Sequence, residues 1–221
     1  MTERAHQGSL GRGAAILAVC LLTAVSVAGA QSMCVACHSN PEFLRRIAGD
    51  SVKAQRLFVQ PARYQESVHG KLGFDCTLCH RDLGDFPHGA AAPVGCGGCH
   101  PQASAQLAVS VHGQTHPETG DAAATCGDCH THHHILGPSD PSSSVYRLTQ
   151  FEICATCHED RDKMGRFGQE NISTVASYRH SVHGRGLLEK GLSVAPVCTD
   201  CHGVAGTGAH SIKTVSDSTG T

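Results

Sequence analysis

The first clear pattern along the chain is an uninterrupted, weakly apolar run, AAILAVCLLTAVSVAGA at 14–30, preceded by a stretch carrying Arg4 and Arg12. It closes on Ala28-Gly29-Ala30, small residues at the two positions a signal peptidase reads. Residues 1–30 are therefore expected to be an export signal cleaved before Gln31. The run's 17 residues also reach the lower limit for spanning a bilayer, so an uncleaved amino-terminal anchor is the alternative. Farther on, 39–68 is the longest cysteine-free stretch near the amino end, and it predicts one or two helices broken at Pro61. Residues 101–112 and 172–183 have moderate helical character. Elsewhere glycine and proline recur too often for long helices or sheets, and GPSDPSSS at 137–144 reads as a turn-rich linker.

Composition changes this picture by removing the usual core. The 191 residues after position 30 hold no tryptophan, few other aromatics and much glycine. Aromatic and branched side chains supply most of the area that a folded domain buries. Either the chain is largely disordered, or a bulky apolar group is bound within it. The same segment carries twelve cysteines. An oxidising compartment would favour a disulfide framework, and paired cysteines also build zinc ribbons.

Spacing separates these readings. The cysteines form six pairs, each with two residues between: CVACH at 34, CTLCH at 76, CGGCH at 96, CGDCH at 126, CATCH at 154 and CTDCH at 198. Histidine follows every pair. At this chain's histidine frequency, 17 in 221, that coincidence has a probability on the order of 10⁻⁷ for unrelated pairs. Neither disulfides nor an all-cysteine zinc site needs the histidine, whereas covalent attachment of haem c does. Two thioethers join the sulfurs to the vinyl groups along one edge of a porphyrin, and the adjacent histidine swings beneath the ring to the iron. The expected attachment residues are Cys34, Cys37, Cys76, Cys79, Cys96, Cys99, Cys126, Cys129, Cys154, Cys157, Cys198 and Cys201. The expected proximal ligands are His38, His80, His100, His130, His158 and His202. The predicted fold is then a set of loops and short α-helices wrapped around stacked haems, with very little β structure.

Repeats sort the other histidines. Ser-Val-His-Gly occurs at 67–70, 110–113 and 181–184, each time ahead of a cysteine motif, which singles out His69, His112 and His183. Tyrosine stands three residues before the serine in YQESVHG and YRHSVHG. A second set follows the motifs: His88 and His210 each lie eight residues after a motif histidine, and HHILGPSD (133–140) aligns without a gap on HSIKTVSD (210–217), matching His133 to His210. Six distal candidates thus meet six proximal ligands, which favours two histidines on each iron. His132 and His134 read as bystanders, with slippage by one residue open, and His116 and His180 as solvated or hydrogen-bonding side chains. Which distal histidine serves which iron is open at this level. Under the enzyme reading, the first haem, far from any repeat-matched histidine, is the candidate for an open iron position, and whether it is five-coordinate is open at this level.

These motifs resemble the multihaem cytochrome c superfamily of bacterial respiration, over nearly all of residues 34–217. The superfamily includes periplasmic cytochromes with stacked haem pairs and tetrahaem quinol dehydrogenases. The resemblance implies six covalent haems in van der Waals proximity, passing electrons between redox partner proteins: other cytochromes, a membrane quinol oxidoreductase or a terminal reductase. The lysine-ligated haem of many multihaem nitrite reductases has no counterpart, because no motif ends in CxxCK.

Three functions compete at this level: a periplasmic or exported electron carrier, an oxidoreductase acting on a small nitrogen or sulfur compound at one open haem, and a haem filament subunit. Retention of 14–30 in the inner membrane would make it a quinol-oxidising anchored cytochrome. After residue 30 there are 15 Lys and Arg against 18 Asp and Glu, a balance of −3. Haem propionates would take this to roughly −9, which disfavours nucleic acid as a partner. The second repeat continues from SDPSSS to CATCH, whereas the third stops at SDSTGT, so a natural product carrying at least one further haem is expected.

Overall fold

The structure, a computed structural model, describes residues 28–84, 86–169, 171–204 and 208–214. Most of the expected export segment lies outside these residues. Two units pack separately, Met1–Pro61 and Ala62–Thr221. Among the described residues there is no strand, and β structure is limited to two isolated bridges, Thr115–Ala122 and Gly203–Ile212. No helix among them is long and apolar enough to cross a membrane.

In the first unit, α1 (Ala28–His38) runs across the expected cleavage point at Gln31 and ends in the first cysteine motif. The stretch from 39 onward holds α2 (Pro41–Ala48) and α3 (Ser51–Leu57), and α4 (Pro61–Glu66) begins at its proline. Asn40 starts α2 by accepting hydrogen bonds from the backbone N–H groups of Glu42 and Phe43 at 3.1 and 3.0 Å. Gly49, at φ 78°, ends it in the left-handed conformation that glycine alone adopts freely. Asp50 then caps α3 through Lys53 N–H at 2.7 Å. The break at Gly49-Asp50 is thus a stop signal followed by a start signal. Pro61 opens a helix, because a first-turn residue has no intrahelical use for its N–H. Leu44 and Ala54 are the buried apolar side chains of this unit.

The second unit is a succession of short helices: α5 (Val68–Lys71), α6 (Cys76–Cys79), α7 (Pro101–Ala108), α8 (Cys126–His130), α9 (Gln150–His158), α10 (Arg161–Gly165), α11 (Thr174–His180), α12 (Val182–Leu188) and α13 (Cys198–His202). Residues 137–144 form consecutive turns, as their composition predicts. The largest apolar cluster is small: Leu187, Ala195 and Val197, with Leu148 and Tyr178 against it. Among the described residues only eight apolar side chains in the two units are buried. So few side chains cannot offset the ordering of a chain this long.

Candidate functional site

Five of the six cysteine motifs lie wholly or mostly on α1, α6, α8, α9 and α13, and the sixth begins a single 3₁₀ turn at Cys96–Gly98. Two cysteines three apart on a helical turn share one side of it. Acidic residues fix three of these turns: Asp75 accepts from Leu78 N–H, Asp128 from Thr125 N–H and Asp200 from Val197 N–H, at 2.9, 2.6 and 2.7 Å. None of the twelve described cysteines is in a disulfide.

Cysteines of consecutive motifs in the second unit are near enough to influence one another's thiols. Burial raises the Cys79 thiol, with Cys96 and Cys99 adding. Burial also raises Cys126, and its hydrogen bond with Cys96 adds to that. Burial raises Cys129, with Asp128 and Cys157 adding. Cys154 and Cys198 share a hydrogen bond, which lowers Cys198 to about 7 and lifts Cys154 far above the ordinary range. From the second to the sixth, each motif thus has a cysteine within electrostatic reach of the next.

The Ser-Val-His-Gly turn has a mechanical explanation. Ser67 and Ser181 accept from the N–H groups of Gly70 and Gly184 at 3.0 and 3.1 Å, and Ser110 accepts from His112 N–H at 3.1 Å. The serine thereby starts a helical turn that projects the histidine. A Cβ on Gly70, Gly113 or Gly184 would land on the backbone carbonyl oxygen of Tyr64, Leu107 or Tyr178. Only glycine lets the preceding helix come this close. The repeated tyrosines tie the same corner to the chain ahead of the next motif, Tyr64 donating to Phe74 O at 2.7 Å and Tyr178 to Pro196 O at 3.0 Å.

Four motif histidines each face one of the repeat-matched histidines. The ring centroids are 6.0 Å apart for His69 and His100, 6.1 Å for His80 and His133, 6.1 Å for His112 and His158, and 6.0 Å for His130 and His210. A ligating nitrogen sits about 2 Å from its metal and about 1.1 Å from its own ring centroid, so two imidazoles on opposite sides of one ion have centroids about 6.2 Å apart. These rings fit a pair of axial ligands. Burial lowers the pKa of His112, His130 and His158, with neighbouring histidines adding, which keeps them neutral as metal ligation requires. Among the described residues no three His, Cys, Asp or Glu side chains converge on one metal position, whereas tetrahedral zinc takes four ligands.

The pairing obeys one rule. A Ser-Val-His-Gly histidine ahead of an even-numbered motif faces the histidine of the next motif: His69 the third, His112 the fifth. The histidine that follows an even-numbered motif reaches back two motifs: His133 to the second, His210 to the fourth. Each returning segment is a His-x-Ile stretch whose isoleucine carbonyl accepts from the valine of a Ser-Val-His-Gly turn. Val68 N–H donates to Ile135 O at 2.8 Å, and Val111 N–H to Ile212 O at 3.0 Å.

The remaining histidines have other surroundings. His38 donates Nδ1–H to Leu57 O at 2.8 Å and His202 donates to Lys213 O at 3.2 Å, a contact that orients each ring and puts its proton on Nδ1. His88, exposed, donates to Gly89 O at 2.8 Å. His183 is exposed and lines a mostly apolar cavity of about 140 Å³ with Tyr178, Val197, Cys198, Cys201 and His202. Among the bystanders, His132 lies where a Cβ on Gly127 would be, and His134 accepts from Arg63 at 3.1 Å, with Glu66 3.5 Å away without hydrogen-bond geometry. Sequence reasoning missed Arg147, whose guanidinium pairs with Asp200 at 2.9 Å and donates to Ala195 O at 3.1 Å, anchoring α13. An isolated arginine in a turn-rich stretch carries no spacing signal that could have singled it out. No family model, curated protein or solved structure matches this chain.

Proposed function

We propose that this chain is a six-haem c-type cytochrome of the multihaem superfamily, an exported electron carrier working between redox partner proteins. The observation that carries the reading is the set of four histidine pairs with centroids 6.0–6.1 Å apart, each joining a motif histidine to a repeat-matched one. Iron held between two imidazoles changes oxidation state by one electron and offers no position to a substrate. The paired cysteines would hold the porphyrin edges. His69, His112, His133 and His210 would close the far faces of the irons on His100, His158, His80 and His130. The carbonyls of Leu57 and Lys213 orient two further proximal rings by fixing their tautomer. The proximity of successive motifs from the second to the sixth supports conduction along the chain rather than isolated centres. The shortage of buried side chains fits a protein whose interior is completed by its cofactors.

The test is protein matured by a cytochrome c assembly system. Mass spectrometry should find six covalent haems, and EPR with a redox titration should find mainly low-spin irons of graded potential. Colourless protein would refute the reading.

A further inference from the structure

The chain leaves the fourth motif through a reversal that no other motif shows. His130 and His133 stand three residues apart, yet they belong to different pairs and face His210 and His80. The matching step out of the sixth motif, from His202 to His210, takes eight residues. There the chain departs at Gly203 with φ −72° and ψ 147°, extended backbone that any residue adopts. The corresponding residue after His130 is Thr131, at φ 63° and ψ −170°. It is the only non-glycine residue with a positive φ among the described residues. That region belongs almost wholly to glycine, because a Cβ crowds the backbone there, and a β-branched residue in it is strained. Across the reversal, Thr131 Oγ–H donates to His134 O at 3.0 Å. The same turn folds His132 back over α8, where a Cβ on Gly127 would lie 2.5 Å from its ring.

We propose that Thr131 is a positioning residue that sets His133 on the iron held by His80. Its positive-φ backbone, closed by the hydroxyl on His134 O, turns the chain from the iron of the fourth motif to that of the second within a link of three residues instead of eight. Thioethers at Cys126 and Cys129 would fix His130. The helix α8 is also pinned at both ends, by Thr125 N–H on Asp128 at 2.6 Å and by Ser144 Oγ–H on Cys129 O at 2.5 Å. The strain of the short link therefore falls on its other end. When Thr131 relaxes to a negative φ, His133 swings off its iron and His130 keeps its own. The inference rests on the haem reading given above.

The experiment titrates reduced six-haem protein with carbon monoxide and reads the spin states of the oxidised protein by EPR. Thr131 is exposed, so its truncation leaves no cavity. Thr131→Ala keeps the Cβ that strains this backbone and removes the hydroxyl that holds it. It should add one carbon monoxide site per chain over the parent and turn one iron high-spin. Thr131→Val, which keeps the side chain's volume, should do the same. Thr131→Gly takes φ 63° freely and should keep the parent's uptake, although it too lacks the hydroxyl. Combined with His133→Ala, Thr131→Ala should add nothing to the one site that His133→Ala opens alone. In protein that carries all six haems, parent-level uptake in Thr131→Ala or Thr131→Val, a new site in Thr131→Gly, or extra uptake in the double variant would each overturn the assignment. A parent protein with fewer than six haems would overturn the functional reading and this inference with it.

Discussion

In the proposed six-haem protein, replacing His133 with alanine should open the iron held by His80 and leave the other irons as they were. The two ring centroids are 6.1 Å apart. Subtracting about 1.1 Å for each ring leaves about 3.9 Å between facing nitrogens, or about 2 Å from each to a midpoint, which is a metal–imidazole bond length. Alanine withdraws one of those nitrogens, and the neighbouring His134 cannot replace it without giving up Arg63 at 3.1 Å. One of the six irons should therefore become high-spin, and the reduced protein should take up one more carbon monoxide per chain than the parent. Absorbance titration measures the uptake, and low-temperature EPR the spin state. His134→Ala is the matched control, and its uptake should equal that of the parent. An unchanged spin state in His133→Ala, or a new carbon monoxide site in His134→Ala, would refute the pairing.

Gly70→Ala should drive a methyl group into the Tyr64 carbonyl, displace His69 and destabilise the holoprotein by about 1–3 kcal/mol, measured by thermal unfolding, while opening the third iron to carbon monoxide. Arg147→Ala removes an ion pair whose partners are 42% and 39% exposed, so its electrostatic cost should stay within about 1 kcal/mol in chemical denaturation. Expressed without haem attachment, the chain should lack a cooperative thermal transition, because so few apolar side chains are buried; a sharp calorimetric peak would contradict this.

The succession of loops and short helices, with almost no β structure, was legible because its signals are local. Glycine, proline and cysteine spacing forbids long regular elements, and each cysteine motif is a complete statement within five residues. Four of the six candidate distal histidines, His69, His112, His133 and His210, do face motif histidines, and they were legible because Ser-Val-His-Gly and the aligned segments at 133 and 210 repeat visibly. Their partners were not. His130 and His210, or His112 and His158, meet only when intervening turns fold back, and periodicity records nothing of that path. The helix break at Gly49-Asp50 was likewise hidden among residues of good helical character, and the structure locates it in a left-handed glycine and an aspartate cap. The isoleucine carbonyls at 135 and 212 escaped notice because a backbone acceptor has no sequence signature.

Because each Ser-Val-His-Gly histidine reaches forward while each His-x-Ile segment reaches back, neighbouring repeats are laced together as links rather than stacked as beads. If the proposed haems are present, a protease nick between two of them would uncap irons on both sides of the cut without breaking a single thioether. Damage of that kind would announce itself first as a change of colour, well before any fragment came loose.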